Sequence, residues 1–153
     1  MNYIIQFQQF VYVNKKNLFI KTHLFNGISE VIDTLVSKNI KWGIVTNKPS
    51  YLVLPIIEML NFTHAPNCIV AGDTLNVKKP NPEPLIYASK QISIDPIFCA
   101  YVGDDLRDIV AANAAKMFSV AAAYGFISDT NQIKEWESDY IIDSPLDLKN
   151  LIS

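Results

Sequence analysis

A threonine, a lysine and a group of aspartates stand out in this chain. Each follows a short apolar run or opens the helix after one, and each suits a different part of a phosphate ion. Thr46 offers a hydroxyl donor, and the backbone N–H groups after it can face an anion. Lys79 brings a point positive charge on a flexible stem, suited to a phosphate oxygen. Asp104, with Asp105 or Asp108, supplies hard oxygen ligands. Mg2+ takes one or two carboxylates together with waters and substrate oxygens. A donor, a cation and a metal around one phosphate would stabilise charge in phosphoryl transfer.

Taken singly, each residue has a plainer reading. A threonine at a strand end is common, and residues 47–49 (Asn-Lys-Pro) make an ordinary turn. Lys79, followed by Pro-Asn-Pro, reads as a solvent lysine on a rigid loop. Asp104 and Asp105 suit the cap of a following helix, with Asp108 in its first turn near the positive dipole end. The combination is more specific than its parts, because the three places recur in one order on one pattern.

That pattern is helix and strand in alternation from Phe25 onward. Ile28, Ile32, Leu35 and Val36 fall on one helix face. Residues 42–45 form a short apolar strand, and Leu52, Ile56, Met59 and Leu60 line the next helix. Pro55 must distort that helix or sit near its first turn. Strands are predicted at 68–71, 98–102, 118–122 and 140–142, with helices from Pro82 to about Gln91 and over 109–115. Continuous apolar strands between amphipathic helices imply an α/β fold, a Rossmann-like and mostly parallel sheet flanked by helices. Ligands bind such sheets at the carboxyl ends of the strands. That rule selects Thr46-Asn47, Gly72-Asp73, Gly103-Asp104 and Tyr124-Gly125. Residues 2–17 show no clear period and read equally as a strand, a helix remnant or a poorly ordered arm, so residues 1–24 are set apart from a core at 25–153.

The rest of the composition bounds the partners. The chain has 153 residues, half of them apolar, and a formal net charge of -2. Such a charge gives no reason to expect nucleic acid or an anionic membrane as partner. Cys68 and Cys99 lie in apolar strands at a spacing that fits no metal or redox motif, which suits buried thiols in a reducing cytoplasm. No apolar run approaches the roughly 20 residues that span a bilayer, and the N-terminus lacks a secretory pattern. His23, His64, Trp42 and Trp136 read as surface or packing residues. Composition leaves the oligomeric state open.

The motifs themselves resemble a known family. Residues 43–49 (GIVTNKP), 79–85 (KPNPEPL) and 102–108 (VGDDLRD) look like motifs two, three and four of the haloacid dehalogenase superfamily. Residues 71–75 (AGDTL), Tyr124-Gly125 and residues 136–145 fit its phosphoglycolate phosphatases and the similar N-acetylmuramate 6-phosphate phosphatases. The resemblance runs over about residues 25–152. It implies a Mg2+-dependent phosphomonoester hydrolase acting on a small phosphorylated metabolite. It further implies that Thr46 hydrogen-bonds the transferring phosphoryl group and that Asn47 contributes a backbone N–H. Lys79 would hold phosphate and nucleophile together, Asp104 would ligate Mg2+, and Asp108 would orient the metal waters or Lys79. Asp105 takes a place often held by a small polar residue.

One departure matters. The family's first motif, Asp-x-Asp-x-Thr after the first strand, carries the nucleophile, and this chain has no Asp before Asp33. Its first strand sits between the strands that here end at Thr46 and Asp104. The expectation is therefore a core lacking that first strand and most of the helical cap, as in an N-terminally truncated product. The arm over residues 3–13 is expected to cover part of the open slot. The alternative to a working enzyme is an inactive remnant that binds phosphate or a partner. A signalling receiver domain also uses an Asp pair, a Thr and a Lys, but it places the acidic pair first and Lys last. Here the order is Thr, Lys, Asp.

Overall fold

The computed structural model describes residues 2–5, 23–125 and 132–152, the first of these as backbone alone. Six strands, all parallel, form one sheet: β1 Asn2–Ile5, β2 Trp42–Val45, β3 Cys68–Val70, β4 Cys99–Gly103, β5 Phe118–Ala122 and β6 Tyr140–Ile142. Their order across the sheet is β3-β2-β1-β4-β5-β6. The helices are α1 Ile28–Ser37, α2 Ser50–Leu60, α3 Glu83–Gln91 and α4 Leu106–Ala114. Among the described residues no helix is long and apolar enough to cross a membrane.

The order corrects one expectation. The core does not lack a strand between β2 and β4, because Asn2–Ile5 fills that slot. Tyr3 pairs with Trp42 on one side and Ala100 on the other, and Ile5 pairs with Ile44 and Val102. The sheet thus takes in residues that the sequence sets apart as an arm. The physical reason is the ladder itself: an empty central slot would leave two rows of backbone N–H and C=O groups without partners. A short β-branched and aromatic run supplies them. The remainder of the arm expected over that slot, residues 6–13, lies outside the described residues.

Each face of the sheet carries its own core. On one face Trp42, Ile44, Val102 and Val120 pack with Ile28, Val31, Ile32 and Leu35 of α1. On the other face Val45, Val70 and Tyr101 pack with Leu85 and Ala88 of α3 and Ala111 and Ala112 of α4. The alternation follows from the two-residue period of a strand. The small side chains of α4 let it lie close to the sheet, as its Ala-rich sequence predicts.

Local chemistry sets the element ends. Gly27 precedes α1 at φ +93°, where a Cβ would stand 2.7 Å from Leu146. α2 follows Pro49, which offers no side-chain cap. Asp73, from the turn after β3, accepts from Ser50 N at 2.8 Å and Ser50 Oγ at 2.7 Å instead. Pro55 lies inside α2. α4 starts at Leu106 rather than Ile109 because Asp105 and Asp108 form a reciprocal capping box.

Candidate active site

The site is built where β2 and β4 end and their helices begin. Thr46 follows β2 directly, and its N–H donates to Val70 O at 2.9 Å. Only 8% of its surface is exposed. Its Oγ1 accepts from Lys48 N at 3.2 Å, which fixes the turn and directs the loop along the rim.

Asn47 does more than the sequence suggests. Its Nδ2 donates to Lys79 O at 2.9 Å, and its Oδ1 accepts from Lys79 N at 3.0 Å. The amide thus staples the loop after β2 to the loop that carries Lys79. The Lys79–Pro80 peptide in that loop is cis. Gly72 passes so close to the Asn47 backbone that any side chain there would collide with it.

Lys79 is nearly sealed from solvent. Its ammonium pairs with Asp108 Oδ1 at 2.8 Å and donates to Tyr101 Oη at 2.6 Å and Val45 O at 3.2 Å. Tyr101 Oη donates in turn to Val45 O at 3.1 Å. An ammonium has three N–H donors, so these contacts take up all three. An anion at the rim would therefore meet Lys79 through its field, or by displacing one contact. Burial opposes the charge on both Lys79 and Asp108, drawing the lysine pKa down and the carboxyl pKa up. Their attraction across 2.8 Å works against both shifts.

The three aspartates separate by role. Asp105 is the N-cap of α4, accepting from Arg107 N at 2.9 Å. It also holds the Arg107 guanidinium through Nε at 2.8 Å and Nη2 at 2.7 Å. The bond to Arg107 keeps its carboxyl below the ordinary range. Asp108 splits its oxygens between Lys79 and the Asp105 N–H, the latter at 3.2 Å. Asp104 packs against Gly125, where any side chain would collide with its carboxylate. Its charge acts on Lys48, Lys79 and Tyr124.

Thr46, Asn47, Lys79, Asp105 and Asp108 line one cavity of about 310 Å³ with Lys48, Pro49 and Arg107. Of the places the sequence singles out, Asp104, Gly72-Asp73, Gly103 and Tyr124-Gly125 are absent from that lining. Tyr101, the staple by Asn47, and Lys48 were not found from sequence. A weak signal existed for the first: Tyr101 is an aromatic with a polar tip inside an otherwise apolar buried strand. Gly72-Asp73 lies at the same rim as a helix cap.

Among the described residues no three or more His, Cys, Asp or Glu side chains stand together as a metal site. Asp105 and Asp108 are spent on Arg107, Lys79 and the helix cap. Asp104, Asp105 and Asp108 are the carboxylates at this rim whose chemistry fits a divalent ion, with water and phosphate oxygens completing its shell, a donor set that Mg2+ accepts.

Known proteins carry the same core. A curated N-acetylmuramic acid 6-phosphate phosphatase from Pseudomonas putida is 34% identical over 138 residues, which cover 90% of this chain and 62% of that protein. A phosphoglycolate phosphatase from Xylella fastidiosa is 40% identical over 121 residues, covering 79% of this chain and 53% of its own length. The chain thus spans about half to three fifths of these relatives. The crystal structure of a predicted phosphoglycolate phosphatase from Haemophilus somnus superposes with a TM-score of 0.77 at 28% identity, covering 85% of this chain and 57% of that one. The profile of the haloacid dehalogenase-like hydrolases matches residues 4–122, and the chain belongs to that family.

Proposed function

We propose that this chain is the core of a Mg2+-dependent phosphomonoester hydrolase of the phosphoglycolate phosphatase type. As it stands, it binds a small phosphorylated metabolite without turning it over. The observation that carries the reading is the cavity at the carboxyl rim, lined together by Thr46, Asn47, Lys79 and Asp108. Thr46 and the backbone beyond it offer donors to the phosphoryl oxygens. Lys79, held by Asp108 and Tyr101, offsets their charge from below. Mg2+ on Asp104 would screen the transferring group further. The substrates named by the relatives, phosphoglycolate and N-acetylmuramic acid 6-phosphate, each join a phosphate ester to a carboxylic acid.

The inert reading rests on the carboxylates of these 153 residues. The sequence has no Asp before Asp33, which lies on α1 paired with His64 at 3.3 Å. The residue next after β1 is Gln6, an amide. Asp105 and Asp108 are committed to bonds of their own. No carboxylate among the described residues is therefore placed to form an acyl phosphate, and water would have to attack unaided. The two buried thiols are pushed up to about 11 by burial, which suits a reducing, cytoplasmic setting.

The test is an amide NMR titration of the chain with inorganic phosphate and Mg2+. Binding in about the millimolar range is expected, with shifts at Thr46 to Lys48 that vanish in Thr46→Val and weaken in Asp104→Asn. No saturable shift at that rim would sink the site. A para-nitrophenyl phosphate assay with Mg2+ checks the second part. Turnover that Asp104→Asn abolishes would overturn the inert reading and leave the site standing.

A further inference from the structure

Three cations face the cavity, and they differ in what already holds them. Lys79 spends its three donors on Asp108, Tyr101 and Val45. Arg107 is gripped by both Asp105 oxygens through Nε and Nη2. Lys48 is different. Its ammonium makes no hydrogen bond or ion pair among the described residues.

Its position is also particular. Lys48 lines the polar cavity of about 310 Å³ and, with Thr46, the apolar cleft beside it, whose walls include Ile44, Val53, Ile56 and Phe62. It therefore stands at the border between the polar cavity and that apolar cleft. Burial draws its pKa below the ordinary lysine value, opposed by the charge of Asp104. A partly desolvated ammonium with no bonded partner favours an incoming anion. The cavity is larger than a bare phosphate needs, having room for several waters. With a phosphate held by Thr46 and Asn47, Lys48 lines the remaining space of the same cavity.

We propose that Lys48 binds a carboxylate on the phosphate ester and so determines specificity for phosphorylated acids over neutral phosphate esters. The inference rests on the phosphate-site reading above and deepens it. Charge complementarity selects a carboxylate because Lys79 and the rim donors already serve the phosphoryl group.

The test compares two esters of equal length, 2-phosphoglycolate and ethyl phosphate, with inorganic phosphate as reference. Each is titrated with Mg2+ into the whole chain, followed by amide NMR. The wild-type chain is expected to prefer 2-phosphoglycolate by about tenfold, the scale of one charge-assisted hydrogen bond. In Lys48→Met that preference should fall to within about twofold of unity, while Lys48→Arg should retain most of it. Circular dichroism checks that both variants fold. Four results would overturn the inference: no preference in the wild type, an unchanged preference in Lys48→Met, equal weakening of both esters in Lys48→Met, or loss of the preference in Arg107→Gln instead. In each of these, binding of inorganic phosphate leaves the phosphate site standing. A wild-type chain that binds none of the three probes takes down both readings together.

Discussion

The loop after β2 and the loop after β4 meet at one rim, yet they treat their polar groups in opposite ways. After β4, Asp105 and Asp108 turn inward to cap α4, and Asp108 holds a lysine that is almost wholly buried. After β2, Thr46 and Lys48 line open space, and Asn47 alone is used as a brace. The difference shows how a charged site is kept in a small domain. One loop commits Asp105 and Asp108 to its own helix and to a buried lysine. The other turns a hydroxyl and an ammonium toward the cavity.

That contrast breaks most visibly at Lys79. Lys79→Met leaves Asp108 buried and unpaired, and should cost about 3–5 kcal/mol by urea denaturation. The double variant with Asp108→Leu should recover most of that loss, since two apolar groups can replace a buried pair. A single variant as stable as the wild type would mean that the pair carries no buried charge.

Asn47→Ala removes both bonds to the Lys79 backbone and should cost about 1–3 kcal/mol. It should also loosen the lysine loop, read as faster amide exchange at Lys79 and Asn81. Unchanged exchange there would show that the loop holds without the staple.

Tyr101→Phe deletes one oxygen from the bonds around Lys79 and should cost about 1 kcal/mol, measured as a lower denaturation midpoint. A larger loss than in Asn47→Ala would shift the centre of the network from the loops to the strand.

Asp105→Ala should cost about 1 kcal/mol through the lost helix cap. The pH dependence carries the sign. The folded Asp105 carboxyl lies below its unfolded value because Arg107 bonds the ionised form. Its contribution is present above the unfolded pKa of about 4 and disappears as pH falls through the folded one. The acid limb of the stability profile should therefore flatten in Asp105→Ala. Asp108 acts with the opposite sign, since burial raises its pKa.

The smallest effect on stability belongs to the open loop. Thr46→Val should change the midpoint by less than about 1 kcal/mol, since only its bond from Lys48 N is lost. A large loss would erase the contrast between the two loops.

Most of the strands and helices were legible because their apolar periods are strong. Trp42–Val45, Phe118–Ala122 and Tyr140–Ile142 appear where the pattern places them. α4 starts three residues before its apolar pattern implies, because the Asp105–Asp108 capping box draws Leu106 to Asp108 into its first turn. Thr46, Lys79 and Asp108 were legible as a set through their positions after strands. Lys48 was hidden in a turn that any surface loop could use.

The sequence by itself determined which residues could meet: strand-terminal groups on a parallel sheet share one rim, because every parallel strand ends on the same side. Only the tertiary structure decided two further points. Asn2–Ile5 forms a strand paired on both sides in the slot that the arm was expected only to cover in part, because the open ladder takes up its backbone groups. The division of labour among the aspartates likewise came from packing. A carboxylate is a ligand or a brace according to which cation lies within about 3 Å of it, and that distance is set by the fold.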